Sequence, residues 1–222
     1  MFKFKHLFIG PQSTSDDKPP EAYVQQLRLL KKVWADDTYG LERLVRLFLC
    51  AIQFVFPVLL VRDAFGRGGF LSRKLAVEAY TVFKFLFPLF VLSSGLYQNP
   101  LIVFIIIYLL SETVLHILNI IFLSDIYGVS MSYHRSILLL FVHYMEVIFD
   151  FAVIYIGFDL LNQDLTPVSA LYFSMVANTT VGFGDICARG AAGQIAVMAQ
   201  LVIGVLFIFV FINYFSQKIN EK

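Results

Sequence analysis

The chain is 222 residues long, 59% of them hydrophobic and 15% charged, and its formal net charge is +1. The apolar residues come in long blocks, which excludes an ordinary soluble domain and indicates a chain embedded in a lipid bilayer. The low net charge, without a basic stripe that carries interleaved aromatic residues, excludes a nucleic-acid-binding protein. Composition therefore predicts a multi-pass membrane protein built from helices.

Residues 1–43 are predicted to form a cytoplasmic arm. Residues 13–21, STSDDKPPE, have the composition of a linker. Residues 22–34, AYVQQLRLLKKVW, have the spacing of a short amphipathic helix. Because the arm is rich in Lys and Arg, the positive-inside rule places it in the cytoplasm.

Residues 44–124 are predicted to form accessory membrane helices. A helix needs about 20 mostly apolar residues to cross a hydrocarbon core of about 30 Å, and residues 100–123 meet that length. Residues 44–61 and 76–97 are weaker candidates, because each contains a proline and at least one charged residue. A cytoplasmic arm favours 44–61 as an interfacial or re-entrant helix, and five spans with an external N-terminus are the alternative.

Two further predicted spans, 136–158 and 193–215, flank a shorter element. Thr166 followed by Pro167 is a helix start signal, since an N-cap residue precedes a proline at the first helical position. The helix predicted over 167–177 has about three turns, which is too short to cross a bilayer. Residues 178–185, NTTVGFGD, then place polar residues and glycines at membrane depth, where irregular backbone is tolerated only inside protein or along a water-filled cavity. The pattern predicts a re-entrant loop that lines the path of an ion.

The segment TVGFG, residues 180–184, resembles the selectivity filter of potassium channels. The resemblance extends over ALYFSMVANTTVGFGD, residues 170–185, and covers about residues 136–215 with the flanking helices. It implies a tetrameric ion-channel pore of outer helix, re-entrant pore helix and filter, and inner helix, in a domain over 125–216 with a short cytoplasmic tail at 217–222. It also implies passive, potassium-selective conduction in the cell membrane, with K⁺ as the permeant ion, no cofactor and no enzymatic activity.

Each residue of TVGFG has an expected role in such a filter. A dehydrated potassium ion needs a cage of oxygens, which the carbonyls of Thr180, Val181, Gly182 and Phe183 would supply, with the Thr180 hydroxyl forming the innermost ring. Gly182 and Gly184 would permit the unusual backbone, while Val181 and Phe183 would pack outward. One chain supplies a quarter of each ring, so three identical subunits are the expected partners.

Asp185 follows the filter and has two predicted roles. Four carboxylates at a pore mouth would raise the local concentration of cations. The alternative is a hydrogen-bond anchor to the pore helix through the Tyr172 hydroxyl, and both roles are compatible. Arg189 is expected to be a solvated residue at the mouth.

The inner helix carries the predicted gating residues. Gly204 falls where the potassium channel family commonly has a hinge glycine. Four apolar residues lie at helical spacing from Gly204 and are the candidates for lining a cavity: Leu201, Val205, Ile208 and Ile212. The alternative is that some of them pack against a neighbouring helix. An apolar constriction near Ile212 or Phe215 would gate the pore by dewetting.

Ionisable residues inside spans are expensive and therefore suggest a role. His143, Glu146 and Asp150 share one face of the 136–158 helix, and Glu112 and His116 lie one turn apart in the preceding helix. These faces are expected to pair in a structural contact, with a proton-sensing gate as the second hypothesis and a metal site as the third. Regularly spaced basic residues, which a voltage sensor requires, do not occur in any span.

Two alternative functions are left open by these residues. One is a weakly selective cation channel that uses the same filter. The other is a membrane transporter that uses the His143, Glu146 and Asp150 face. A phosphate-binding glycine loop is excluded, because no lysine follows the glycines and no strand precedes them.

Overall fold

The computed structural model describes residues 21–36, 39–66, 70–123, 133–163 and 166–220, almost all of them helical. The chain divides into two compact units, Met1–Tyr80 and Thr81–Lys222. Short 3₁₀ turns at Gln53–Val55 and Leu96–Gln98 join some of the helices. The α-helices, in chain order, are α1 (Ala22–Ala35), α2 (Gly40–Ile52), α3 (Pro57–Gly66), α4 (Phe70–Ser94), α5 (Pro100–Phe122), α6 (Tyr133–Gly157), α7 (Pro167–Asn178) and α8 (Gly190–Asn220).

Among the residues that the structure describes, four helical segments are long and apolar enough to cross a membrane. They are Ser72–Ser94, Pro100–Phe122, Arg135–Gly157 and Gly190–Tyr214. A fifth span exists only if the bent pair Gly40–Val55 and Pro57–Gly66 is taken as one. The described helices thus fit a multi-pass membrane protein, and their bounds lie within a few residues of the predicted 100–123, 136–158 and 193–215. The predicted span at 76–97 is shifted, since α4 ends at Ser94 and Gly95 takes the left-handed conformation that terminates helices.

The first unit contains the helix predicted over 22–34, which the structure places at Ala22–Ala35. The single helix predicted over 44–61 is instead broken, with a bend of 65° between its two parts. Proline disfavours the helical conformation in the residue before it, and Phe56, which precedes Pro57, is extended. The break is therefore local, and the side of the membrane on which the arm lies stays a prediction.

Polar contacts hold the first unit together. The Gln26 side chain is buried and donates a hydrogen bond of 3.0 Å to the Cys50 carbonyl, which ties α1 to α2. The backbone N–H of Ala22 donates to Asp63 of α3 at 3.1 Å. These bonds satisfy polar groups that would be costly to bury alone.

The second unit has one apolar core, formed mainly by α5, α6, α7 and α8. Its largest buried side chains include Tyr155 and Phe207, which contact aromatic neighbours in edge-to-face geometry. At Gly157, an added Cβ would lie 2.7 Å from the Val103 side chain, so glycine permits α6 to approach α5 closely. One side of the short helix α7 packs into this core through Ala170 and Phe173.

Candidate functional site

The short helix α7 begins where the sequence predicted. The Thr166 side chain accepts a hydrogen bond of 3.1 Å from the backbone N–H of Ser169, and Pro167 is the first helical residue. The helix runs for 12 residues and ends at Asn178. It is bracketed by α6 and α8, as a re-entrant loop between two spans requires.

The segment after α7 has an alternating backbone. Thr180, Gly182 and Gly184 have φ values of 58°, 60° and 80°, whereas Val181 and Phe183 do not have positive φ. The sign of φ thus alternates from one residue to the next along this segment. A helix and a strand both keep negative φ throughout, so this backbone is neither. The two glycines take it without a steric cost.

Thr180 adopts the left-handed region without being a glycine, and sequence reasoning had assigned this conformation only to the glycines. The cost for such a residue is about 1–2 kcal/mol. Backbone hydrogen bonds hold it in place, from Thr180 to the Ala177 carbonyl at 3.0 Å and from Val181 to the Val176 carbonyl at 3.1 Å. The end of α7 thus fixes the start of the filter segment.

The side chains of this segment lie on the surface of the single chain. Val181 is 56% exposed and Phe183 is 68% exposed. The Phe183 ring is nearly parallel to that of Tyr172 on α7, with 6.4 Å between the ring centroids and 4° between the planes. Residues 181–183 therefore contact α7 on one side and are open on the other in the single chain.

Asp185 lies beside Tyr172 at the end of the segment. A side-chain hydrogen bond with Asp185, then partial burial and the carboxylate charge, raise the pKa of Tyr172. This interaction joins Asp185 to α7, as the suggested anchor would require, and the role of Asp185 at a pore mouth stays a prediction. Both residues line a cavity together with Ser169 and Gln163.

The chain beyond Asp185 is tied to the end of α6. The backbone N–H of Arg189 donates to the Leu160 carbonyl at 2.7 Å, and the Asn162 N–H donates to the Cys187 carbonyl at 3.0 Å. Arg189 was expected to be a solvated residue, and its exposed side chain forms an ion pair with Asp159. Both side chains are largely exposed, so this pair contributes little to stability.

A buried hydrogen-bond network behind α7 was missed by sequence reasoning. The Tyr155 hydroxyl of α6 donates to Gln200 Oε1 of α8 at 2.6 Å. Gln200 Nε2 then donates to the carbonyl and hydroxyl oxygens of Ser174 on α7, at 2.9 and 2.8 Å. The Ser174 hydroxyl donates to the Ile148 carbonyl at 2.6 Å, which closes the network. The signal was Gln200, a polar residue inside an apolar run.

The residues predicted on the inner helix all lie on α8. Gly204 is buried against the end of α7, and Leu201 is half-buried. Val205, Ile208 and Ile212 are exposed in the single chain. Their assignment to a pore cavity stays a prediction.

The ionisable faces of α5 and α6 come together, as the sequence suggested. The His116 and His143 rings are 5.5 Å apart. Glu112 and Glu146 meet through Lys84 of α4, which sequence reasoning did not include although a lysine inside a predicted span was a signal. Within the described residues, no group of three or more His, Cys, Asp or Glu side chains is arranged to hold a metal ion.

Residues 137–221 match a family model described as "Ion channel". The match supports an ion channel family. It covers less than half of the chain and contains most of α6, together with α7, the filter segment and α8. No curated protein and no solved structure matches the chain significantly. The ion channel match and the four apolar helices together indicate a multi-pass membrane protein.

Proposed function

We propose that this chain is one subunit of a homotetrameric channel that conducts potassium ions passively through residues 180–184. The observation that carries the proposal is the backbone of TVGFG, with positive φ at Thr180, Gly182 and Gly184, directly after a short re-entrant helix. When the sign of φ alternates along the chain, successive carbonyl groups can point to the same side of the backbone. A row of such carbonyls replaces the hydration shell of a potassium ion.

The single chain supports assembly with copies of itself. One chain supplies one oxygen to each ring, so rings of four oxygens require four chains. Val181 and Phe183 expose large apolar surfaces beside the filter, and such surfaces are normally covered by protein or lipid. The exposed residues Val205, Ile208 and Ile212 of α8 fit a cavity below the filter or contacts with neighbouring subunits.

Electrostatics favours a cation at both ends of the segment. The C-terminal end of α7 carries the partial negative charge of its helix dipole, and it ends at Asn178, next to the filter. Asp185 adds a carboxylate at the other end. Repeated in four subunits, these groups attract cations toward the pore and repel anions.

The test uses purified protein in liposomes. A potassium-selective channel gives reversal potentials that follow the potassium gradient, rubidium uptake, and block by barium. Comparable permeability for sodium and potassium would assign the chain to the weakly selective cation channels. Saturating flux coupled to a second gradient would assign it to the transporters instead.

Gly182→Ala supplies the matched variant. In the single chain nothing lies within 4 Å of a Cβ at Gly182, so the substitution acts through its φ of 60° and the filter backbone. Gly95→Ala is the control, because Gly95 has a φ of 73° and equally open space but lies outside the filter. Gly182→Ala should abolish flux while Gly95→Ala keeps it. Equal flux in both variants would show that residues 180–184 are not the conduction path.

A further inference from the structure

Six polar side chains are buried together between α4, α5 and α6, away from the filter segment. We call them the buried ionic cluster. They belong to the second unit of the chain, and all are nearly inaccessible to solvent. The cluster consists of Lys84, Glu112, Thr113, His143, Glu146 and Asp150.

Glu146 lies at the centre of the buried ionic cluster and has a full set of partners. Its Oε1 accepts a hydrogen bond from the Thr113 hydroxyl at 2.7 Å and forms an ion pair with Lys84 Nζ at 3.2 Å. Its Oε2 lies 2.7 Å from His143 Nδ1, which donates to it. A carboxyl group with this many donors is stabilised as the anion.

The Lys84 ammonium group contacts three members of the buried ionic cluster. Its ammonium group donates to the Thr113 hydroxyl, and it lies 3.3 Å from Glu112 Oε2 and 3.2 Å from Glu146 Oε1. A lysine has three N–H donors, and these three contacts are all with side chains of the buried ionic cluster.

Asp150 lies one turn beyond Glu146 on α6 and is 1% exposed. Among the residues that the structure describes, its Oδ2 atom has no hydrogen-bond partner. It interacts electrostatically with both Glu146 and Lys84. An ionised carboxylate in this position would be a buried charge beside a second anion, which costs far more than burying the neutral acid.

The net charge of the buried ionic cluster also favours a neutral carboxyl group at Asp150. Three carboxylates face one ammonium group, so full ionisation would leave two negative charges unbalanced in the interior. A proton on Asp150 removes one of them. Buried charges persist only when they are paired.

We propose that Asp150 is a proton-binding site and that its proton stabilises the packing of α6 against α4 and α5. The charged and titratable groups around it are Lys84 of α4, with Glu112, Tyr108 and His116 of α5, and His143 and Glu146 of α6. The helix α7 and the described side chains of α8 contribute no acidic or basic residue. Loss of the proton places an unpaired anion beside Glu146, so rising pH weakens this packing.

The position of Asp150 on α6 connects the proton to the pore region. Ile148, two residues earlier, accepts the hydrogen bond from Ser174 of α7. Tyr155, five residues later, donates to Gln200 of α8. A change in the packing of α6 therefore acts on the helix that holds the filter segment, and conduction depends on pH through Asp150.

Infrared spectroscopy of the purified protein tests the proton itself and does not depend on any flux. A protonated carboxyl in an apolar setting gives a C=O band distinct from that of a carboxylate. The wild type should show this band at neutral pH, Asp150→Asn should lose it, and Glu112→Gln should retain it. Asp159→Asn, which removes an exposed carboxylate, is the control and should leave the protonated-carboxyl band unchanged. A wild type without the band, or loss of the band in Glu112→Gln alone, would overturn the proposal.

Flux across pH tests the coupling, and this part rests on the proposed channel function. One linked proton changes a conformational equilibrium by no more than about tenfold per pH unit. Wild-type flux should change with pH within this limit, and flux through Asp150→Asn, which stays neutral, should not. If Asp150→Asn does not fold, Asp150→Leu serves as the neutral variant of similar volume. A neutral variant with the same pH dependence as the wild type would overturn the coupling. If neither the wild type nor the variants show flux, the channel function is contradicted, and the infrared result alone decides whether Asp150 binds a proton.

Discussion

The Oδ1 atom of Asn178 lies against Gly204, and a Cβ added at Gly204 would be only 2.9 Å from it. Asn178 is the last residue of the short helix before the filter, and Gly204 is in the middle of α8. Glycine at position 204 thus has a packing role, because it makes room for the Asn178 side chain. The hinge role expected from the family resemblance stays a prediction beside it.

Gly204→Ala should push Asn178 out of place and disturb the filter segment. Overpacking of this kind typically costs about 1–3 kcal/mol, and flux in liposomes should fall. Asn178→Ala removes the obstructing amide, so adding it to Gly204→Ala should restore part of the thermal stability and flux. Simple additivity of the two substitutions would show that the contact is not the cause.

The helices and the cap could be predicted from the sequence because their signals are local. Run length and composition placed the three long spans, and Thr166 followed by Pro167 placed the start of α7. The break at Phe56 was not predicted, although Pro57 is its local cause. The sequence showed a proline there but gave no geometry for the two halves.

The contacts between helices could not be predicted, since they depend on which helices are neighbours. The faces that carry Glu112 and Glu146 could be matched by their polarity, but the lysine that joins them comes from α4, at Lys84. The bond from Tyr155 to Gln200 depends in the same way on α6 lying beside α8. The positive φ of Thr180 follows from hydrogen bonds to the end of α7 and has no signal in the residue type.

Tyr155→Phe should destabilise the protein, because it leaves Gln200 Oε1 without its donor inside the core. A buried polar group that loses its partner costs about 1–3 kcal/mol. Thermal unfolding in detergent measures the effect. Tyr144→Phe is the matched control on the same helix, since the Tyr144 ring contacts Phe207 and Phe211 and the structure records no side-chain hydrogen bond for it among the described residues. Equal loss of stability in the two variants would contradict a role for the network.

The contact between Tyr172 and Asp185 predicts the behaviour of the filter mouth at alkaline pH. The hydrogen bond to Asp185 raises the pKa of Tyr172, so the phenol stays neutral to higher pH than an ordinary tyrosine. The contact is thus fully present below the ordinary tyrosine pKa and is lost as pH rises through the elevated one. Spectrophotometric titration should show one phenol shifted to lower pH in Asp185→Asn, and that phenol should be missing in Tyr172→Phe. Titrations that are the same in wild type and Asp185→Asn would contradict the anchor.

The stacked pair of Phe183 and Tyr172 leads to the last prediction, which concerns how firmly the filter is held. On the proposed function, Phe183 stands where the potassium channel family usually has a tyrosine, and Val176 stands where some members of that family have a glutamate. The filter therefore lacks two hydrogen-bonding groups, each worth about 1 kcal/mol net, or up to about 3 with a charged partner. In a tetramer, the free energy of each missing hydrogen bond counts four times. We expect Phe183→Tyr to preserve ion selectivity and to alter open-state lifetimes, and Val176→Glu to change entry into, or recovery from, a non-conducting state.

Single-channel recordings of both variants and of the double variant measure these effects. The added hydroxyl and the added carboxyl would both act near Asp185, which already accepts from Tyr172. If both new groups use Asp185 as their anchor, their effects on lifetimes are non-additive, whereas separate braces give additive effects. Phe173→Tyr is an unsuitable control because Phe173 is buried against Tyr155, so Phe158→Tyr, on a half-exposed ring outside the filter, serves instead. Lifetimes equal to wild type in all filter variants would show that these side chains do not brace the filter.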